Sequence, residues 1–320
     1  MGPALTARFE KDVGMVLVFG SLAVDLLLTA TEHPRPGETV LCNSSRLSPG
    51  GKGNNQAVAA AIAGANAVII GRVGVDDFGS FLIDRLLAKG VDTTYVARTD
   101  SAPTGCAVVA VDGHGQNIIY VAVGANSTTQ ALDVPDELLK RADVLVCQME
   151  VPARENWSLL ERAKKEQLTT ILNLAPARDI DDSGWKAIKQ WIDVLILNEE
   201  EALHLVGRYN PSLLQAQPSE IAHFLADALN VICIVTLGSA GVCGSDAKTT
   251  WREAALEVGV KDTTGAGDTF TGVLAAMLDE GRSIPEALRR ATIGASLACR
   301  ELGAQEGMPD RQQIELYASD

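Results

Sequence analysis

Between residues 143 and 238 the chain reads DVLVCQ (143–148), TTILNL (169–174), DVLILN (193–198) and VICIVTLG (231–238), short β-branched runs separated by stretches with helical spacing. Residues 154–165 and 220–229 are two of those helical stretches. Strand and helix in strict alternation need crossover connections, and such connections build a parallel sheet. An α/β fold is therefore expected, a doubly wound and mostly parallel sheet flanked by helices.

Working outward, MVLVFG (15–20) and VIIG (68–71) continue the pattern toward the amino terminus, followed by a helical stretch over 78–89. Residues 1 to about 13 lack a pattern and read as a ragged tail. The run 15–30 is apolar enough to suggest a signal sequence, but Gly20 and Asp25 interrupt it and Glu10-Lys11-Asp12 flanks it. It is read as the first buried strand and the loop after it, and no other run approaches the roughly 20 apolar residues that span a bilayer. Two regions break the rhythm, about 31–48 and 99–123. The second holds GCAVVAVDG and QNIIYVAV around the turn Asp112-Gly113-His114-Gly115, the pattern of a hairpin. These insertions are expected to form a small β-sheet lid on a single domain over 14–310, since no linker, low-complexity tract or repeat divides the chain.

Composition agrees: 320 residues, 47% hydrophobic but only 4% aromatic, suit a buried parallel sheet. The formal net charge of −14 argues against nucleic acid as partner. It also means that an anionic nucleotide must be held locally, by N–H groups, metal and a few cations. The six cysteines show no C-x-x-C pair, and most of them read as small core residues of a reducing, cytoplasmic protein.

The chemistry gathers at glycine-rich turns. In DTTGAGDTFTG (262–272) Gly265 and Gly267 let consecutive N–H groups converge at a helix start, with Ala266 between them, and Asp268 follows directly. A helix amino terminus of this kind holds an anion, and Asp268 beside it could take a proton from an attacking hydroxyl. The rival reading is a plain loop with an Asp cap. A second such turn opens GGKGNNQAVAAA (50–61), where Gly50, Gly51 and Gly53 permit close approach and Lys52 and Asn55 supply donors. The P-loop spacing G-x-x-x-x-G-K-[ST] is absent there, no G-x-G-x-x-G follows the first strand, and no serine lies in a G-x-S-x-G elbow.

Carboxylates and amides stand at the expected strand ends, the edge where open α/β sheets bind ligands. Asp25 in GSLAVD follows the first strand, Glu150 ends CQME, and Asn198 and Glu201 lie in LNEEE. They suit hydroxyl recognition or a metal ion held through water, against the plainer readings of a loop cap for Asp25 and a first-turn helix glutamate for Glu201. Thr236-Leu237-Gly238-Ser239-Ala240-Gly241 is a further tight turn, able to pass beneath a nucleotide.

With these residues in place, the chain resembles the ribokinase family of sugar kinases from about Val16 to Gly307. GGKGNNQAVAAA and DTTGAGDTFTG look like the family's two signatures, and GSLAVD, CQME, LNLAPAR, LNEEEALHLVG and VTLGSAGV fall in the same order. The resemblance implies an ATP- and Mg²⁺-dependent kinase that phosphorylates the terminal hydroxyl of a pentose, ribose first. Kinases of 2-deoxyribose, fructose or adenosine, or a non-catalytic sugar sensor, are the alternatives. It assigns Asp268 as base and Gly265, Ala266 and Gly267 as anion hole. Asp25, Gly51, Lys52, Asn55 and Glu150 match sugar-holding positions; Asn198, Thr236, Gly238, Ser239 and Gly241 match the nucleotide side; Glu201 matches the acidic position linked to Mg²⁺. Asp262, Thr264, Ala298, Glu301 and Gly303 match a monovalent-cation site, for potassium, several acting through carbonyls. The lid is expected to join two subunits in a homodimer. Two departures stand out: Ala23 replaces a usual Asn that would bond a substrate hydroxyl, and Gly307 replaces a usual Ser beside the cation.

Overall fold

The computed structural model describes residues 14–177 and 180–319, and the tail expected over 1–13 lies outside them. Its first half runs β1 Met15–Phe19, β2 Ala23–Thr29, β3 Ser44–Gly50, α1 Lys52–Ile62, β4 Asn66–Gly74, α2 Asp77–Ala88, β5 Asp92–Thr99, β6 Gly105–Val111, β7 Asn117–Ala122 and α3 Asp136–Arg141. There follow β8 Val144–Gln148, α4 Ala153–Lys165, β9 Thr169–Asn173, α5 Asp182–Trp191, β10 Val194–Asn198, α6 Glu199–Tyr209, α7 Pro218–Leu229 and β11 Ile232–Thr236. The hairpin β12 Val242–Ser245 and β13 Thr250–Glu253 precedes α8 Ala266–Asp279, α9 Ile284–Ala298 and α10 Arg311–Ala318.

The main sheet has nine strands in the order β13-β12-β11-β10-β9-β8-β1-β4-β5. All neighbours are parallel except β11–β12 and β12–β13, which are antiparallel. Its strands are apolar on successive residues because both faces are covered. Leu17, Phe19, Leu145, Leu172, Leu195 and Leu197 pack on one face, with Leu159, Ile188, Leu205 and Leu225 of the helices α4 to α7. Val16, Val18, Val146, Ile171, Val194 and Ile196 pack on the other, with Ala57 of α1, Leu82 of α2, Val273 of α8 and Leu288 of α9.

β1 stands between β8 on one side and β4 on the other, so the chain leaves it in both directions and a crevice opens above its carboxyl end. Helices α1 and α8 both begin at that edge. They cross closely at Gly272, where a Cβ would lie 2.5 Å from the Ala59 Cβ and 2.5 Å from the Gln56 carbonyl oxygen.

A separate four-stranded sheet, β3-β2-β6-β7, projects from the same edge. Here the sequence reading needs correction: residues 23–29 are not the loop after the first strand but β2, the strand that pairs with both β3 and β6. Asp25 is thus the third residue of a strand in this second sheet, six residues past the end of β1. The continuous apolar run across Gly20 conceals the break, since a strand leaving one sheet for another needs only a short turn.

Candidate active site

The site forms where α1, α8 and the carboxyl ends of β1, β8 and β9 meet. Gly265 caps α8 with φ 76°, and a Cβ there would lie 2.5 Å from the Ala304 carbonyl, so the turn demands glycine. Gly267 has no atom within 4 Å of where its Cβ would be, which leaves open space at the first turn of the helix. Asp268, third residue of α8 and 7% exposed, holds its carboxylate beneath that space. Asn55 donates from Nδ2 to Asp268 Oδ2 at 3.0 Å, and Gln56 donates from Nε2 to Oδ1 at 2.9 Å. Gln305 in turn donates to Asn55 Oδ1 at 2.9 Å, which fixes the way the Asn55 amide faces.

α1 starts with Gly51 at φ 88°, its Cα backed onto the Ala23 N and Ser21 carbonyl. Gly53 passes so close to β1 that a Cβ would meet Gly20 and Ser21 backbone atoms at 2.6 Å. Glu150 Oε2 accepts from Ser21 Oγ at 2.6 Å and from the Lys52 N–H at 2.9 Å, tying β8's end to the α1 turn. The Asp25 carboxylate lies against Gly50, 2.2 Å from where a Cβ would stand. Ala23 aligns with Gly50 on one side and Gly105 on the other, so neither neighbour presents a side chain beside it.

Asp268 and Glu150 share the Lys52 ammonium. Burial and then the charges of Glu150 and Asp268 push the Asp25 pKa up to about 6. Burial also raises Asp268, against the opposing pull of Lys52 and its two amide donors. Burial alone would lower Lys52; Asp268, Glu150 and Glu201 outweigh it and raise the ammonium above its ordinary range.

A cavity of about 390 Å³ adjoins the α8 turn, lined by Thr236, Gly238, Ser239, Gly241, Ala266 and Gly267 among others. The structure therefore brings the expected nucleotide turn and the anion hole to one space. Its walls include Leu256, Val258, Val260, Ala295 and Cys299, which the sequence reading did not single out because apolar residues on a loop and on α9 look like core. Asn198 and Glu201 do not line this cavity. They cap α6 reciprocally: Asn198 Oδ1 accepts from the Glu201 N–H at 2.7 Å, and Glu201 Oε2 accepts from the Asn198 N–H at 2.8 Å.

Of the expected cation residues, Asp262, Thr264 and Gly303 come together. Asp262 Oδ1 accepts from the Thr264 N–H (2.9 Å) and Oγ1 (2.7 Å), and Oδ2 accepts from the Gly303 N–H (2.9 Å). The Ala298 carbonyl faces Gly307, 2.1 Å from where a Cβ would be. The Glu301 side chain turns away and pairs with Lys261 at 2.9 Å. Among the described residues no group of three or more His, Cys, Asp or Glu could hold a metal ion directly. Four residues absent from the sequence reading of the site belong to it: Ser21, Gln56, Asn173 and Gln305. Ser21, Gln56 and Asn173 lie inside quoted motifs, and helical position was the signal available for Gln56, one residue beyond Asn55.

This arrangement agrees with what the chain is similar to. Residues 13–311 match the pfkB family carbohydrate kinase. The chain belongs to that family. The kinase is 34% identical over 307 residues to the ribokinase of Bacillus subtilis, covering 94% of this chain and 98% of that one. It is 32% identical over 308 residues to the deoxyribokinase of Salmonella typhimurium, covering 95% and 98%. Its fold superimposes on the Arabidopsis thaliana ribokinase complexed with ribose and ATP with a TM-score of 0.87 at 30% identity, covering 97% and 100%. No helix among the described residues of this kinase is long and apolar enough to cross a membrane.

Proposed function

We propose that this carbohydrate kinase transfers the γ-phosphoryl group of ATP to the terminal hydroxyl of a pentose, with ribose as the preferred sugar and 2-deoxyribose next. The observation that carries the reading is Asp268, a buried carboxylate held by two amide donors under the open first turn of α8. A sensor that only bound sugar would have no need of a base held this way. Asp268 would take the hydroxyl proton as the sugar oxygen attacks phosphorus and ADP leaves. The N–H groups of Gly265, Ala266 and Gly267 would meet the charge on the transferring group. Asp25, Lys52, Asn55 and Glu150 would hold the sugar beneath the lid, and the turn 236–241 would carry the nucleotide.

Mg²⁺ fits as an ion carried by the triphosphate. The cap engages Glu201 Oε2, which leaves Oε1 for a water of the ion's shell, and bound Mg²⁺ would neutralise charge between the phosphates. A monovalent cation fits the loop held by Asp262, with the Ala298 carbonyl as a donor and no side-chain oxygen from Gly307. The exposed apolar residues of β7 support a homodimer joined through the lid.

The test is ADP release across ribose, 2-deoxyribose, fructose, adenosine and a no-sugar blank, with and without potassium, for the natural chain and Ala23→Asn. Ribose should lead. The added amide, two residues before Asp25 on the same face of β2, should shift the ribose to 2-deoxyribose ratio roughly 5- to 150-fold, the worth of one hydrogen bond of about 1–3 kcal/mol. Equal turnover with and without sugar would overturn the kinase reading for this class, and a lead for adenosine would replace the sugar.

A further inference from the structure

We propose that Gln56 and Asn173 act together as a positioning pair for Asp268, an inference that rests on Asp268 being the base. Gln56 is fully buried in α1, and its Nε2 donates both to Asp268 Oδ1 at 2.9 Å and to Asn173 Oδ1 at 3.2 Å. Asn173 is the last residue of β9, and it belongs to the face on which Ile171 packs against the helices. Gln148, its register partner on β8, follows Val146 in the same way. At these positions the face that α1 covers changes from branched aliphatic residues to amides.

The fold has no need of those amides. No backbone group of α1 or β9 depends on the Gln56 side chain, and a methionine would fill its volume. Burying the amide is costly, because Gln56 Oε1 has no hydrogen-bond partner and neither polar atom of Gln148 has one. What the pair does supply is orientation. With Asn55 on Oδ2 and Gln56 on Oδ1, both Asp268 oxygens are fixed from the α1 side, and the remaining lone pairs face the crevice where a hydroxyl would approach. Asn173 keeps the Gln56 amide from rotating, as Gln305 does for Asn55.

The charged groups facing Asp268 are Lys52 from α1, Glu150 from the end of β8 and Asp25 from β2. Burial and Glu150 disfavour its anion, and the Gln56 donor favours it. Removing that donor should therefore move the pH at which the base is lost upward as well as loosen its aim.

The experiment measures kcat and KM for ribose between pH 5.5 and 9, varying ribose at saturating ATP, for Gln56→Met, Asn173→Leu, the double variant and Asp268→Asn, with thermal melts. Gln56→Met should lower kcat roughly 10- to 100-fold with KM within about threefold, and shift the acid limb of kcat upward by about half to one pH unit. Asn173→Leu should show the same shift in smaller measure, and the double variant should be no worse than Gln56→Met. Unchanged kcat and acid limb, or losses that multiply in the double variant, would overturn the pairing. If Gln56→Met does not fold, the acid limb of Asn173→Leu decides alone. Retained turnover in Asp268→Asn would instead sink the base itself; its loss, with Gln56→Met silent, would sink only the positioning role.

Discussion

If Asp25 holds the sugar as proposed, it links sugar binding to pH. Its carboxylate is packed against Gly50, and burial with the neighbouring Glu150 and Asp268 raises its pKa to about 6. The ionised form accepts two hydroxyl hydrogen bonds, and the protonated form must give up part of that capacity. KM for the sugar should accordingly stay flat above about pH 7 and rise as pH falls through 6, by no more than roughly tenfold per unit for one proton. A KM profile flat down to pH 5 would show that Asp25 does not carry the binding. At this scale the glycine turns were legible, since Lys52, Asn55 and Asp268 are polar groups beside them where burial alone does not ask for such residues, and Glu150 stands just past a strand end; the placement of Asp25 in a strand of the second sheet was not. Gln56 was not, because a glutamine in an Ala-rich helix reads equally well as solvent-facing. Its partner lies 212 residues away, and only the folded chain joins them.

Among the elements, the α1–α8 pair sets the geometry, and two glycines of α8 separate its two duties. Gly272 lies in the helix crossing, with Ala59 and Gln56 atoms already at 2.5 Å from where a Cβ would stand, whereas Gly267 faces open space. Gly272→Ala should force the helices apart, costing about 1–3 kcal/mol and several degrees of melting temperature. Gly267→Ala should leave the melting temperature within about a degree while lowering kcat at least tenfold, because the methyl group enters the space over the first turn. Thermal melts alongside turnover check both, and equal melting losses in the two variants would mean that the turn is structural. The strands of the sheet's centre were readable because burial on both faces makes them continuous apolar runs. β5, β12 and β13 were not: DTTYVART and TWRE are the sheet's two edge strands, where one side needs no partner and polar residues are tolerated, and VCGS, though paired on both sides and buried, is only four residues long. The nucleotide turn could be placed in sequence, but the apolar walls at 256–260 and on α9 become a cavity only once the chain folds over them.

For the whole molecule, the lid is where exposed apolar residues gather on an edge strand. Leu26 aligns with Leu47 and Val108, and Val108 with Tyr120, an apolar row across one face of the small sheet. Leu27, Val109 and Ile119 make a second row on the other face, interrupted by Arg46, which pairs with Glu306 of the loop that carries Gln305. Apolar rows on both faces call for cover on both, and the crevice can supply only one. β7 is also an edge strand with Tyr120 68% and Val121 67% exposed, on a molecule whose formal charge is −14. The proposed homodimer would answer the edge and the uncovered face together, a second copy of the same lid covering both as an isologous contact requires. Light scattering at micromolar concentration should give twice the chain mass. Tyr120→Lys with Val121→Lys, which places a charge on each face, should weaken association roughly 100-fold or more and yield monomer. Because Arg46 and Glu306 join this sheet to the loop that orients Asn55, the monomeric variant should also show a sugar KM raised severalfold, with kcat less affected. A natural chain that is monomeric, or a monomeric variant with unaltered KM, would detach the lid's apolar faces from sugar binding and leave them without a role in the reaction.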